Sequence, residues 1–324
     1  MARPGLNLAR VLAGLMLGGL SGLFGVYWDI AWHIDRGRDA FFSPPHNLIY
    51  GAMLASVLVA GVGMFRERRR TPWHLMVAGR ALHPGILTVA AGALLVLIFA
   101  PADDLWHRLF GPDISLWAPM HLIGLLGLGL ASFGGLVTAE IERWWAAGPA
   151  YAWLSVGFGG LLLGWSTLLL AEYEYVVPAF SPVYHPVILA GLGAFVLVLL
   201  ARLEPLPFAA SAAALGYTLF RAALAGGLML TAQLDLAGVS RPLIAVLLPA
   251  GVVADLLARW LPPWLLGGFV GGTALAASYP VFAEALWPDW VLGAAWPFAL
   301  TAALLGGALG GWVARQLRPL EGTA

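Results

Sequence analysis

The chain contains no cysteine and no lysine, and only 10% of its 324 residues are charged. Without cysteine there is no disulfide and no thiolate, so any metal site must be built from nitrogen and oxygen ligands. Without lysine every basic group is an arginine, and the 17 of them are balanced by 17 acids to a formal charge of zero. No basic field remains to attract nucleic acid. Nor does the sequence carry a Gly-rich phosphate loop, a Ser-His-Asp arrangement, the histidine-rich helices that two haems require, or a methionine cluster of the kind that carries Cu(I).

What fills the chain instead is apolar. At 60% hydrophobic residues and a mean hydropathy of +0.85 it cannot form a water-soluble globule, and apolar runs near the length of a membrane span recur throughout. The expected fold class is all-α: a polytopic membrane protein of about ten helices arranged as hairpin repeats. The spans fall near 8–31, 46–66, 82–101, 119–141, 150–173, 185–203, 206–231, 241–259, 262–284 and 291–314. The first lacks a small-residue cleavage site and reads as a retained helix. Residues 1–324 are expected to form a single transmembrane domain. Glycine strings such as GLLGLGLASFGG and GGALGG predict close helix contacts in lipid.

Arginine sets the orientation. Most arginines, including Arg10, Arg66, Arg68, Arg69, Arg70, Arg143, Arg202 and Arg315, fall on one set of helix ends, and only Arg36, Arg38, Arg108 and Arg241 on the other. The positive-inside rule then puts both termini in the cytoplasm of a bacterial or archaeal plasma membrane.

On the opposite, extracytoplasmic side lies the most informative stretch, WDIAWHIDRGRDAFFSPPH, from Trp28 to His46. Asp29 and His33 are four residues apart, so on a helix they share a face with Cβ atoms roughly 6 Å apart. His46 opens the next apolar segment, after a loop short enough to bring its ring back. The order recurs in DDLWHRLFGPDISLWAPMH with Asp103, His107 and His121. In both copies a glycine follows the first histidine by four residues, an aspartate (Asp39, Asp113) by six, and a proline precedes the last histidine by two. Two imidazoles and one carboxylate suit copper, zinc or non-haem iron, and the residue types alone do not choose. Asp39 and Asp113 are placed behind the histidines, because a metal-bound imidazole donates its free N–H to a carboxylate or carbonyl.

At these residues the chain resembles one membrane-embedded component of the copper-containing membrane monooxygenases, the particulate methane and ammonia monooxygenase family. Trp32, His33, Arg38, Asp39 and Ser43-Pro44-Pro45-His46 match one stretch of that component, and Asp103, His107 and Ala118-Pro119-Met120-His121 match a second, with aspartate where the family has asparagine. The resemblance spans roughly 20–125, and 205–324 holds additional helices without it. It implies copper at Asp29, His33 and His46, and copper or zinc at Asp103, His107 and His121. It also implies an oxygenase acting on a small apolar substrate, in which the first set is catalytic. The competing reading is a non-enzymatic metal carrier, sensor or assembly factor. Expected partners are the lipid bilayer, and a homo-oligomer or other membrane subunits, with no nucleic acid.

Other polar residues are less specific. Glu172, Glu174 and His185 follow a similar hairpin pattern without the middle histidine, and Asp235, Glu284 and Asp289 mark later turns of the same kind. Arg36, Arg38 and Arg108 are candidates to neutralise the nearby acids. His74 and His83 are expected at the surface without a carboxylate partner. Arg221, inside an apolar helix, must face the bundle or snorkel.

Overall fold

The structure, a computed structural model, describes residues 8–37, 40–66, 74–111, 115–146, 149–203, 206–236, 240–286 and 295–317. The chain forms two compact units, Met1–Trp165 and Ser166–Ala324. The first contains α1 (Leu8–Arg36), α2 (Pro44–Arg66), a hairpin of β1 (Leu75–Val77) and β2 (Arg80–Leu82), α3 (Pro84–Phe110), α4 (Pro119–Ala146) and most of α5 (Pro149–Leu168). The second contains α6 (Ala171–Glu174), α7 (Tyr184–Leu203), α8 (Ala209–Gln233), α9 (Leu248–Leu257), α10 (Pro263–Leu286) and α11 (Ala295–Gln316). Eight of these helices, α1 to α4, α7, α8, α10 and α11, are long and apolar enough to cross a membrane. The protein is an all-α polytopic membrane protein.

Proline sets where helices begin. Pro44, Pro84, Pro119, Pro149 and Pro263 each open one, because the missing N–H is one that a first turn leaves without a partner and the fixed φ is already helical. Glycine sets how close they come. A methyl group on Gly92 would lie 2.5 Å from the Gly127 carbonyl oxygen, and one on Gly134 would lie 2.7 Å from that of Gly85, so α3 and α4 touch backbone to backbone. In the second unit Gly267 and Gly271 of α10 meet Gly307 and Gly311 of α11 in the same way.

Two expected spans are broken. The helix expected over 150–173 ends at Leu168 and resumes as the single turn α6, and the one expected over 241–259 is helical only over Leu248–Leu257. Residues 241–247 lack helical hydrogen bonds, yet a backbone segment among apolar helices must still satisfy its polar groups. Leu243 donates its N–H to the Glu174 carbonyl at 2.8 Å, Val246 donates to Ser278 Oγ at 2.9 Å, and the Leu243 carbonyl accepts from Arg221 at 3.3 Å.

Arg221, fully buried, thereby acquires its partner. Its guanidinium forks onto both carboxylate oxygens of Glu174 at 3.1 and 2.9 Å and donates to Thr167 Oγ1 at 3.0 Å. Among the described residues the third hairpin contributes no metal set. Its carboxylate is neutralised by arginine, Glu172 accepts the Ala179 N–H at 2.8 Å, and His185 is buried between Tyr173 and Phe282.

His83 differs from its sequence reading. It is 6% exposed, its Nδ1 accepts the Gly85 N–H at 3.2 Å to cap α3, and its Nε2 lies 3.9 Å from buried Glu142. The carboxylate sits 59 residues downstream on α4 (142 − 83), beyond the reach of local spacing rules.

Candidate metal centres

Both sets assemble in the first unit, where α1 meets α2 and α3 meets α4. His33 and His107 end their helices in the same manner. Gly37 (φ +77°) donates its N–H to the His33 carbonyl at 3.1 Å, and Gly111 (φ +92°) to the His107 carbonyl at 3.0 Å. This is why a glycine follows each histidine by four residues: the chain must leave the helix at positive φ, where a side chain is strained. The next helix, opened by Pro44 or Pro119, carries the last histidine of each set.

In the first set, Asp29 Oδ1 lies 3.6 Å from His33 Nε2 and 3.1 Å from His46 Nε2. In the second, Asp103 Oδ2 is 3.4 Å from His107 Nε2, Asp103 Oδ1 is 3.4 Å from His121 Nε2, and the two Nε2 atoms are 3.4 Å apart. An ion bound tetrahedrally at about 2.0–2.1 Å spaces its ligands roughly 3.3–3.4 Å apart. In the second set the Nε2–Nε2 distance has that length, and each Nε2 stands at the same distance from one of the two Asp103 oxygens. Asp29 Oδ1 and Asp103 Oδ1 are both shielded from solvent and face imidazole Nε2 atoms, so the charge of each carboxylate is met there either by a protonated ring or by a metal cation.

The rings are aimed from behind. His46 Nδ1 lies 3.2 Å from the Ala40 carbonyl, His107 Nδ1 3.2 Å from that of Gly111, and His121 Nδ1 3.0 Å from that of Ser115. A carbonyl only accepts, so Nδ1 is the donor in each of these contacts and Nε2 is the ring atom turned toward the carboxylate. Asp39 and Asp113, expected behind the histidines, lie outside the described residues, as does Arg38. Tyr50 stacks on His46 with ring centroids 5.7 Å apart, a contact one helical turn along α2.

Arg36 lies over the Trp32 ring at 5.1 Å, and Arg108 pairs with Asp104 rather than Asp103, at 2.6 Å. The two sets also feel one another, His46 acting electrostatically on Asp103 and Asp29 on His121. Among the described residues these are the two groups of His, Asp or Glu that can hold a metal ion.

No family model, curated protein or solved structure matches the chain. The fold and the site chemistry define a membrane protein with two potential metal centres of the Asp-His-His type.

Proposed function

We propose that this protein binds two transition-metal ions, copper at Asp29, His33 and His46 and copper or zinc at Asp103, His107 and His121. On this reading it catalyses the O2-dependent hydroxylation of a small apolar substrate that arrives from the lipid. The observation that carries the reading is the convergence, twice in one unit, of two imidazole Nε2 atoms on a carboxylate with a solvent-shielded oxygen. The resemblance of both stretches to the copper membrane monooxygenases supports copper and oxygen chemistry over zinc alone. Bound copper would supply one-electron redox chemistry and a binding position for O2. The protein's own residues hold and orient it: the carboxylates lower the charge of the site, and the backbone carbonyls fix the rings.

The second reading, a metal carrier, sensor or assembly factor, is favoured by His33, whose side chain is 42% exposed and leaves one ligand open to exchange. Metal analysis, electron paramagnetic resonance and oxygen uptake on the purified protein separate the two. About two ions per chain, a nitrogen-coordinated Cu(II) signal and reductant-dependent O2 consumption are expected. Metal binding with no O2 consumption under any reductant would leave the carrier reading, and a metal-free protein that takes up no copper would remove both.

The arginine asymmetry further supports an extracytoplasmic position for both sites. With no native cysteine to interfere, Phe42→Cys should react with a membrane-impermeant maleimide on intact cells and Ala78→Cys should not. The reverse pattern would invert the topology.

A further inference from the structure

The two ligand sets follow one plan, so a side chain that differs between them at a matched position is not dictated by that plan. In each, the main-chain carbonyl six residues before the last histidine meets its Nδ1, Ala40 at 3.2 Å from His46 and Ser115 at 3.0 Å from His121. The stretches that deliver the two histidines therefore match residue for residue. Five residues before the histidine stands Phe41 in one and Leu116 in the other, and four residues after it stand Tyr50 and Leu125. The second copy places its histidine with leucine at both positions, so bringing the ring to the carboxylate does not require an aromatic residue there.

Tyr50 follows His46 by one turn of α2, where residues four apart share a face. Its ring stacks on the imidazole with centroids 5.7 Å apart and planes 20° from parallel, an arrangement that aromatic pairs favour. Phe41 backs Tyr50 from the preceding loop with centroids 5.2 Å apart, and Asn47 Nδ2 ties that loop to α2 by donating to the Phe42 carbonyl at 3.0 Å. His46 is thus held in two ways. At its edge, Nε2 faces Asp29 Oδ1 at 3.1 Å and Nδ1 faces the Ala40 carbonyl, which fixes where the nitrogens point. Such contacts still let the ring tilt about the line between them. A tilt is opposed by what lies against the face of the ring, and Tyr50 lies there.

We propose that Tyr50 is a positioning residue for the first metal site: by holding the plane of His46 it fixes the geometry in which an ion is bound there, and so makes that site stiffer than the second. The inference rests on the metal-binding reading above. An imidazole binds a metal in the plane of its ring, so a tilted His46 would carry the ion away from Asp29 and His33, and groups that fix ring orientation accordingly govern affinity. His33, with its side chain 42% exposed, is the less enclosed of the two histidines, which leaves the geometry to His46. Oxidised copper favours a tetragonal arrangement, and a ring that is kept from tilting resists the shift toward it.

Copper is the probe, with affinity and the Cu(II) paramagnetic resonance spectrum as readouts, in full-length protein carrying His107→Ala so that the first site alone contributes. Tyr50→Leu installs the residue of the second set and should weaken copper binding by about tenfold while altering the Cu(II) hyperfine pattern. Tyr50→Phe keeps the ring and should restore both. Phe41→Leu removes only the backing ring and should give a smaller change of the same sign, which keeps the test open if Tyr50→Leu does not fold. With His33→Ala in place of His107→Ala only the second site is left, and there Tyr50→Leu should change nothing. Unaltered affinity and spectrum in Tyr50→Leu would overturn the proposal and leave the metal reading in place. So would failure of Tyr50→Phe to restore them, which would assign the effect to the hydroxyl, or equal losses at both sites, which would mark a general role in folding. Protein with wild-type ligands that takes up no copper would defeat the metal reading, and this inference with it.

Discussion

Gly92 on α3 and Gly127 on α4 face each other so closely that a methyl group on either would sit within 2.7 Å of the other's carbonyl oxygen. That contact fixes the register that brings Asp103 and His107 against His121. Gly92→Ala should therefore force the helices apart and destabilise the protein by about 1–3 kcal/mol, the usual cost of overpacking. It should also weaken the second metal site while sparing the first, whose helices approach through Gly18 and Gly25. Thermal melting combined with metal titration checks both halves.

Each set is built on its own helix pair, so His33→Ala should empty the first site and His107→Ala the second. The electrostatic contact between the sets adds a sign to this expectation. Two cations in one low-dielectric region repel, so with His107→Ala the first site should bind its remaining ion severalfold more tightly than in the wild type. Calorimetric titration of copper reads this directly. Loss of both ions from either single variant would mean that the two sets share one centre.

The carboxylates differ in how they face their histidines, and so should their asparagine variants. Asp29 directs one oxygen, Oδ1, at both Nε2 atoms, so Asp29→Asn keeps an oxygen in place and loses only charge. Asp103 directs one oxygen at each, so Asp103→Asn must turn its NH2 toward one ring and lose a contact as well. Metal content should fall further in Asp103→Asn than in Asp29→Asn, by about tenfold in affinity. Equal losses would indicate that charge alone governs binding.

In the second unit, Arg221→Leu strands Glu174 as a buried unpaired carboxylate, and removal of one partner of such a pair costs about 3–5 kcal/mol. The double variant Arg221→Leu/Glu174→Leu should recover much of that loss, though not all, because the Leu243 carbonyl still lacks its donor. Denaturation of the two variants side by side tests the pairing. A double variant no more stable than the single one would show that the clamp on residues 241–247 matters more than charge balance.

The membrane class and most of the spans were legible in composition because apolar length needs no tertiary information. The two Asp-His-His groupings were legible because local spacing and an internal repeat encode them. What escaped was long-range. The break before Leu248 depends on Arg221 and Ser278, which only the fold delivers to that backbone, and Pro242 alone did not announce it. The burial of His83 depends on Glu142 from another helix. The acceptors behind His46, His107 and His121 are main-chain carbonyls of Ala40, Gly111 and Ser115, and no side-chain identity marks a carbonyl.

That last feature bears on how such a site tolerates change. Every amino acid brings the same carbonyl, so the residues that aim these three rings are interchangeable in side chain as long as the loop keeps its path. Sequence drift in the loops can then be wide while the Nε2 atoms of the imidazoles stay trained on one point. What the sequence must keep at such a site is then a few polar side chains, a helix-ending glycine and a helix-starting proline.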